Sequence, residues 1–180
     1  TADDIPAGAL RMGVARSACA SADCTIANLD DVKAMAGVHM VLTAADLTQY
    51  GDVPCEALRK QKDGSEMNGA DIPLLAKGRA CYVGDALAIV IADTDQQAAD
   101  AAEALDVDYT NTPVAAETGS ALDPATPLVH PDLGTNLAGH IFVGDDAKTG
   151  AAFANAASVT ELTLVNNRLV SNFLETRACV

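Results

Sequence analysis

The sequence predicts an α+β domain in which helices lie against sheet. Aromatics are scarce, with three Phe, three Tyr and no Trp, so the core must be built from Val, Leu, Ile and abundant Ala. Such small side chains let a helix approach a sheet closely. A second ground is ALAIVIADTDQQAADAAEALDVDYT, which reads strand, helix, strand in succession. The third is size: 180 residues, 49% apolar and 20% charged, suffice for one buried core and the start of a second unit.

Taken in order, GALRMGVARS carries Leu10, Met12 and Val14 at period two and predicts a half-buried strand. CTIANLD predicts a second short strand. In DDVKAMAG, the aspartates sit where a helix N-cap belongs, Val32, Met35 and Ala36 share a face, and Gly37 is placed as C′. VHMVLT then reads as a compact apolar strand, with Thr43 and Asp46 of TAADL in capping-box spacing for one more turn. From 51 to 73, charge rises, Gly and Pro recur and apolar periodicity stops. This predicts a long surface loop, a feature that suits either an interaction or access role or an ordinary insertion.

ALAIVIA is a nearly continuous apolar run of strand length. Thr94 and Gln97 form a capping box, and Ala98, Ala101, Ala102 and Leu105 mark one helix face. LDVDYT alternates as a strand. A Pro- and Gly-rich connector follows, then LAGHIFVGD as a strand and DDAKTGAAFANAA as an Ala-rich helix with Phe153 as its large anchor. SVTELTLVNNRLVS alternates as a long strand. The chain ends at Cys179-Val180 within a mixed apolar run, an ending expected of a piece cut from a longer chain.

A net charge of −14 repels phosphate backbones, and no basic stripe interrupts it, which speaks against nucleic acid. Solubility explains the acidity, and docking onto a basic partner is the sharper alternative. No run approaches the roughly 20 apolar residues of a membrane span, and TADDIPAGAL lacks the pattern of a signal peptide. The five cysteines (Cys19, Cys24, Cys55, Cys81, Cys179) are irregularly spaced, and His39, His130 and His140 lie far apart. Reduced thiols of a cytoplasmic protein are expected, with no zinc or iron–sulfur site in this chain.

GDDAKTG lacks the Gly-Lys-[Ser/Thr] run of a phosphate loop, no Gly-x-Gly-x-x-Gly follows ALAIVIA, and no Gly-x-Ser-x-Gly occurs. Asp3-Asp4, Asp30-Asp31 and Asp145-Asp146 fall at helix starts or turns, and capping and dipole complementation account for two of the three pairs. His130 reads as a loop residue and His39 as a satisfied core or edge residue. Glu175 between Arg168 and Arg177 suggests a buried or interfacial ion pair, hence a large partner surface. No catalytic, cofactor-binding or metal-binding residue is nominated.

Five strings occur in order: TADDIP, ARSACASADCTIANLDDVKAMAGVHMVLTAADL, IPLLAKGRACYVGDALAIVIADT, EALDVDYTNTPVAAE and FANAASVTELTLVNNRLVSNFLETRACV. Together they resemble the N-terminal part of the large subunit of the xanthine dehydrogenase, aldehyde oxidoreductase and carbon monoxide dehydrogenase family of molybdenum hydroxylases. The resemblance spans essentially the whole chain. It departs at RSACASADC, where the family has Arg-Ser-Pro-His-Ala-His-Ala, at Asp85, where Gln is frequent, and at Phe173.

The resemblance implies an α/β-hammerhead domain over residues 1–133. Residues 134–180 are then a connector and the first elements of a truncated molybdopterin-binding domain. The family's catalytic glutamate and pterin loops lie downstream of residue 180, and Glu175 is not that base. The implied role is structural and subunit-contacting, with no catalysis by the chain alone. The complete enzyme is expected to carry molybdopterin with molybdenum, and iron–sulfur clusters and FAD on partner subunits or domains. Carbon monoxide dehydrogenase is the preferred branch from the spelling of the segments. The alternative is a free-standing acidic interaction module of the same fold. Self-association of the fragment is expected, because the cut exposes apolar positions in LTLVNNRLVSNFL that the missing region would cover.

Overall fold

Two three-stranded antiparallel sheets share the strands of this chain, and the path between them explains most of the sequence pattern. The computed structural model describes residues 5–56 and 59–166. In chain order these hold β1 (Arg11–Arg16), β2 (Ala22–Ile26), α1 (Leu29–Lys33), β3 (Val38–Leu42) and, after a long loop, β4 (Arg79–Ala80). Then come β5 (Ala86–Ala92), α2 (Asp95–Glu103), β6 (Val107–Asn111) and α3 (Asp146–Ala154). Short 3-10 turns occupy Ala44–Leu47 and Pro131–Leu133.

The first sheet has the order β1-β5-β3. Its middle strand is the apolar run ALAIVIA, as a strand paired on both edges should be. Leu87, Ala88, Val90 and Ala92 are buried. The helix α2 lies on β1 and β5, while α1 packs beside β3. Ala15, Val32, Val41, Ala88, Val90, Ala101 and Leu105 form one core, flanked by Ile26, Leu29 and Met35. The Ala face of α2 therefore serves close approach: Gly13 of β1 faces the backbone of Ala98 with no space for a side chain.

The second sheet has the order β4-β2-β6, with Ala22 opposite both Ala80 and Asn111. A smaller core of Ala76, Ala80 and Leu87, with Cys24, Val107 and Tyr109 against it, joins it to the first sheet. The chain changes sheet at Ser17. There the Ser17 N–H donates to the Asp85 carbonyl and the Gly84 N–H to the Ser17 carbonyl, each at 2.8 Å. A register shift between Ala15 and Arg16 bends β1 into this corner.

The expectations for α2 and its flanking strands hold closely: Thr94 caps the helix by accepting the Gln97 N–H. Others need correction. The N-cap of α1 is Asn28, with Asp30 and Asp31 inside the first turn, because the Asn28 side chain is engaged elsewhere. That helix ends at Lys33, so Gly37 is not its C′ residue; it takes φ +80° in the turn into β3. TAADL makes a 3-10 turn, with the Asp46 carboxylate accepting the Thr43 N–H at 2.8 Å.

LAGHIFVGD is not a strand. Its carbonyls meet a loop through scattered bonds, not a ladder, and Gly144 turns away at φ +120°. Phe153 anchors nothing: α3 buries none of its residues, and Phe153 is exposed. SVTELTLV alternates as a strand should, yet residues 158–166 are unpaired and exposed among the described residues. A strand requires a neighbour to receive its backbone hydrogen bonds. The expected ion pair of Arg168, Glu175 and Arg177, and Cys179, lie outside the described residues.

Candidate functional site

An apolar groove of about 630 Å³ lies where the two sheets meet the long loop. Its floor is Cys24 and Ile26 of β2 with Leu87 of β5, and one wall is the 3-10 turn from Thr43 to Thr48. The opposite wall is Leu74 to Gly78, and an ion pair between Lys77 Nζ and Asp52 at 2.6 Å closes the rim. Leu74 and Tyr50, both exposed, stand at the mouth.

The groove is lined mainly by apolar side chains, with one thiol among them. Its one thiol, Cys24, has its pKa raised, first by burial, so the nucleophilic thiolate is disfavoured. Asp46, on the adjoining turn and not in the groove's lining, is held below the ordinary carboxylate range by the Thr43 N–H and hydroxyl, as a turn cap is. Neither group has the raised carboxylate or lowered thiol pKa that acid–base or nucleophilic catalysis uses.

The residues singled out in the sequence are not brought together. His39 lies on edge strand β3, its Nε2 2.7 Å from the Asp93 carboxylate, both half exposed. His130 precedes the 3-10 turn at Pro131 and is exposed. His140 sits on the connector, its backbone N–H donating to Gln61 Oε1 at 3.0 Å. Asp145 caps α3 by accepting the Lys148 N–H, while Asp3 and Asp4 lie outside the described residues. Cys19, Cys24, Cys55 and Cys81 are unpaired thiols of intermediate burial.

Three polar side chains missed by the sequence reading organise the frame. The Asn28 carboxamide donates to the Ala104 carbonyl and accepts the Asp106 N–H, each at 2.8 Å. Asn136 accepts the Val129 N–H and donates to the carbonyls of Ala121 and Pro127. Asp85, buried, accepts the Cys81 N–H at 3.0 Å. Periodicity carries no trace of such long-range bonds. The one available signal was Asn28 itself, directly ahead of a helix and suited to a cap.

The donors present do not fit the molybdenum cofactor that the resemblance implies. Among the described residues no three His, Cys, Asp or Glu converge as ligands. The groove offers apolar walls where a pterin pyrophosphate would need converging N–H donors. Among the same residues, no helix is long and apolar enough to cross a membrane.

Comparison with known proteins gives a consistent result. The sequence profile described as aldehyde oxidase and xanthine dehydrogenase, a/b hammerhead domain, matches residues 2–113. The carbon monoxide dehydrogenase large chain of Hydrogenophaga pseudoflava is 34% identical over 191 residues, covering 99% of this chain and 23% of that protein. Among solved structures, reconstituted CO dehydrogenase from Oligotropha carboxidovorans superposes with a TM-score of 0.69 at 30% identity, over 87% of this chain and 20% of that one. Aldehyde oxidoreductase from Desulfovibrio gigas gives 0.67 at 27% identity, over 86% and 16%. The chain thus spans less than a quarter of the length of these relatives.

Proposed function

Because this chain belongs to the aldehyde oxidase and xanthine dehydrogenase a/b hammerhead family, we propose that it is the hammerhead-bearing portion of a molybdenum hydroxylase large chain. Its work there is structural: it braces the cofactor-binding region and contacts neighbouring subunits. The carrying observation is the alignment of 99% of the chain with only 23% of a carbon monoxide dehydrogenase large chain. That the 34% identity extends over 99% of the chain supports the carbon monoxide dehydrogenase branch.

In this reading residues 1–133 are the hammerhead, and residues 134–180 are a connector and the first elements of the molybdopterin-binding domain. The exposure of Val143, Leu162, Leu164 and Val165, from 76% to 90%, supports it. Apolar side chains of that size gain about 2 kcal/mol each when covered, and a following domain supplies the cover. Molybdopterin is held by the remainder of the large chain, and the iron–sulfur clusters and FAD by partner subunits or domains. The complete enzyme is a cytoplasmic oxidoreductase, and the 180-residue chain alone has no redox activity.

Metal analysis by mass spectrometry tests this on two samples, the product of the complete gene and the 180-residue chain. Molybdenum in the first and none in the second is the expected result. A complete gene product that carries no molybdenum when expressed with cofactor biosynthesis would overturn the enzyme reading.

A further inference from the structure

The long loop and the connector, some seventy residues apart in sequence, meet through backbone–backbone and side chain–backbone hydrogen bonds. Residues 59–68 first close on themselves. The Gln61 N–H donates to the Ser65 carbonyl at 2.7 Å, the Met67 N–H to the Arg59 carbonyl at 3.1 Å, and Gln61 Nε2 to the Glu66 carbonyl at 2.8 Å. A loop so tied presents its remaining donors and acceptors in fixed positions.

Those remaining groups receive residues 137–146. Gln61 Oε1 accepts the His140 N–H at 3.0 Å, and the Lys62 N–H donates to the His140 carbonyl at 3.3 Å, so one residue is held at both backbone groups. Asn68 holds the neighbouring carbonyls: its N–H donates to Ala138 at 2.7 Å and its Nδ2 to Leu137 at 3.0 Å. Between these two clamps Gly139 lies on Met67, and a Cβ there would collide with the Met67 side chain. Lys62 completes the seat, its Nζ 4.4 Å from the Phe142 ring centre and 3.0 Å from the Asp146 carboxylate at the first residue of α3.

We propose that residues 59–68 are a latch whose occupant is the 137–146 segment of this same chain. The latch fixes the point and direction at which the polypeptide leaves the two-sheet body and begins α3. Segment 137–146 is held by no sheet ladder, and α3 buries none of its own residues, so the latch supplies the anchoring that packing does not. The 51–73 insertion therefore has a task within the chain. Its charged and Gly-rich composition follows from that task, because it must present polar groups to another backbone. The latch does not depend on which cofactor or substrate the larger protein uses.

Amide hydrogen exchange on the 180-residue chain, read residue by residue by NMR, tests the proposal. In the native sequence the amides of Asn68 and His140 exchange slowly, since both are donors in the latch. Gln61→Ala and Gly139→Val each accelerate exchange of the His140 amide by on the order of tenfold or more, while β5 amides are unchanged, as expected for an independent opening unit. Lys62→Met, a milder exposed change, accelerates exchange only around the start of α3. An unprotected His140 amide in the native sequence overturns the latch without any variant. So does a Gly139→Val chain whose Asn68 and His140 amides exchange as in the native protein.

Discussion

Gly13 of β1 lies so near the Ala98 carbonyl of α2 that a methyl group at position 13 would overlap the helix backbone. Helix backbone cannot swing aside as a side chain can, so the two elements must part or distort. Overpacking of this kind costs about 3 kcal/mol at the upper end of its usual range. Gly13→Ala is expected to lower the urea midpoint accordingly. A control, Gly51→Ala, has open space around it and should change the midpoint far less.

Asn28 joins the end of β2 to the α2–β6 junction by holding Ala104 and Asp106 at once. Asn28→Ala leaves a carbonyl and an N–H without their partner, at a cost of about 1 kcal/mol, since water can reach the site. Asn28→Asp should recover the Asp106 bond and not the Ala104 bond. Equilibrium unfolding of the three proteins gives the order native, Asp, Ala.

Acid should weaken the 3-10 turn over residues 44–47 before it weakens the core. The Asp46 carboxyl is held below its ordinary value of 3.8 chiefly by the Thr43 N–H and then by the Thr43 hydroxyl. A group depressed on folding stabilises the native state fully above its unfolded pKa. That contribution is lost as pH falls through the lower folded value. Asp46→Asn should flatten the stability slope below about pH 4, the unfolded carboxyl range, and leave the slope near neutrality alone. Chemical denaturation across pH 2 to 7 reads this directly.

Burial raises the pKa of the Cys24 and Cys81 thiols in the native protein. Because the thiolate is the attacking species, both should alkylate more slowly in the folded chain than in urea at the same pH. Mass spectrometry after a timed iodoacetamide pulse at pH 8 measures the contrast. Equal labelling in the two states would show that burial does not protect them.

Apolar side chains from Val159 to Val165 are open to solvent, Leu164 at 81% and Val165 at 84% exposure. Contiguous surfaces of that character favour association. The sedimentation coefficient of the 180-residue chain is therefore expected to rise with concentration. Leu162→Lys with Leu164→Lys should return it toward that of a monomer. A single monomeric boundary at every concentration would contradict the prediction.

Local pattern determined the parts of this protein that satisfy themselves over short distances. The run ALAIVIA became β5 residue for residue, and Thr94 capped α2, because apolar continuity and a capping box act within a few neighbours. The family resemblance also stood in the sequence. Tertiary structure alone decided the rest. Asn28 left its own helix to serve Ala104 and Asp106, and Gly139 found its place only because Met67 came to lie against it. SVTELTLV has the alternation of a strand and is none among the described residues, since alternation supplies a face but not a neighbour. Hydrogen bonds and contacts between residues seventy apart depend on where the chain returns, and no window of sequence contains that return.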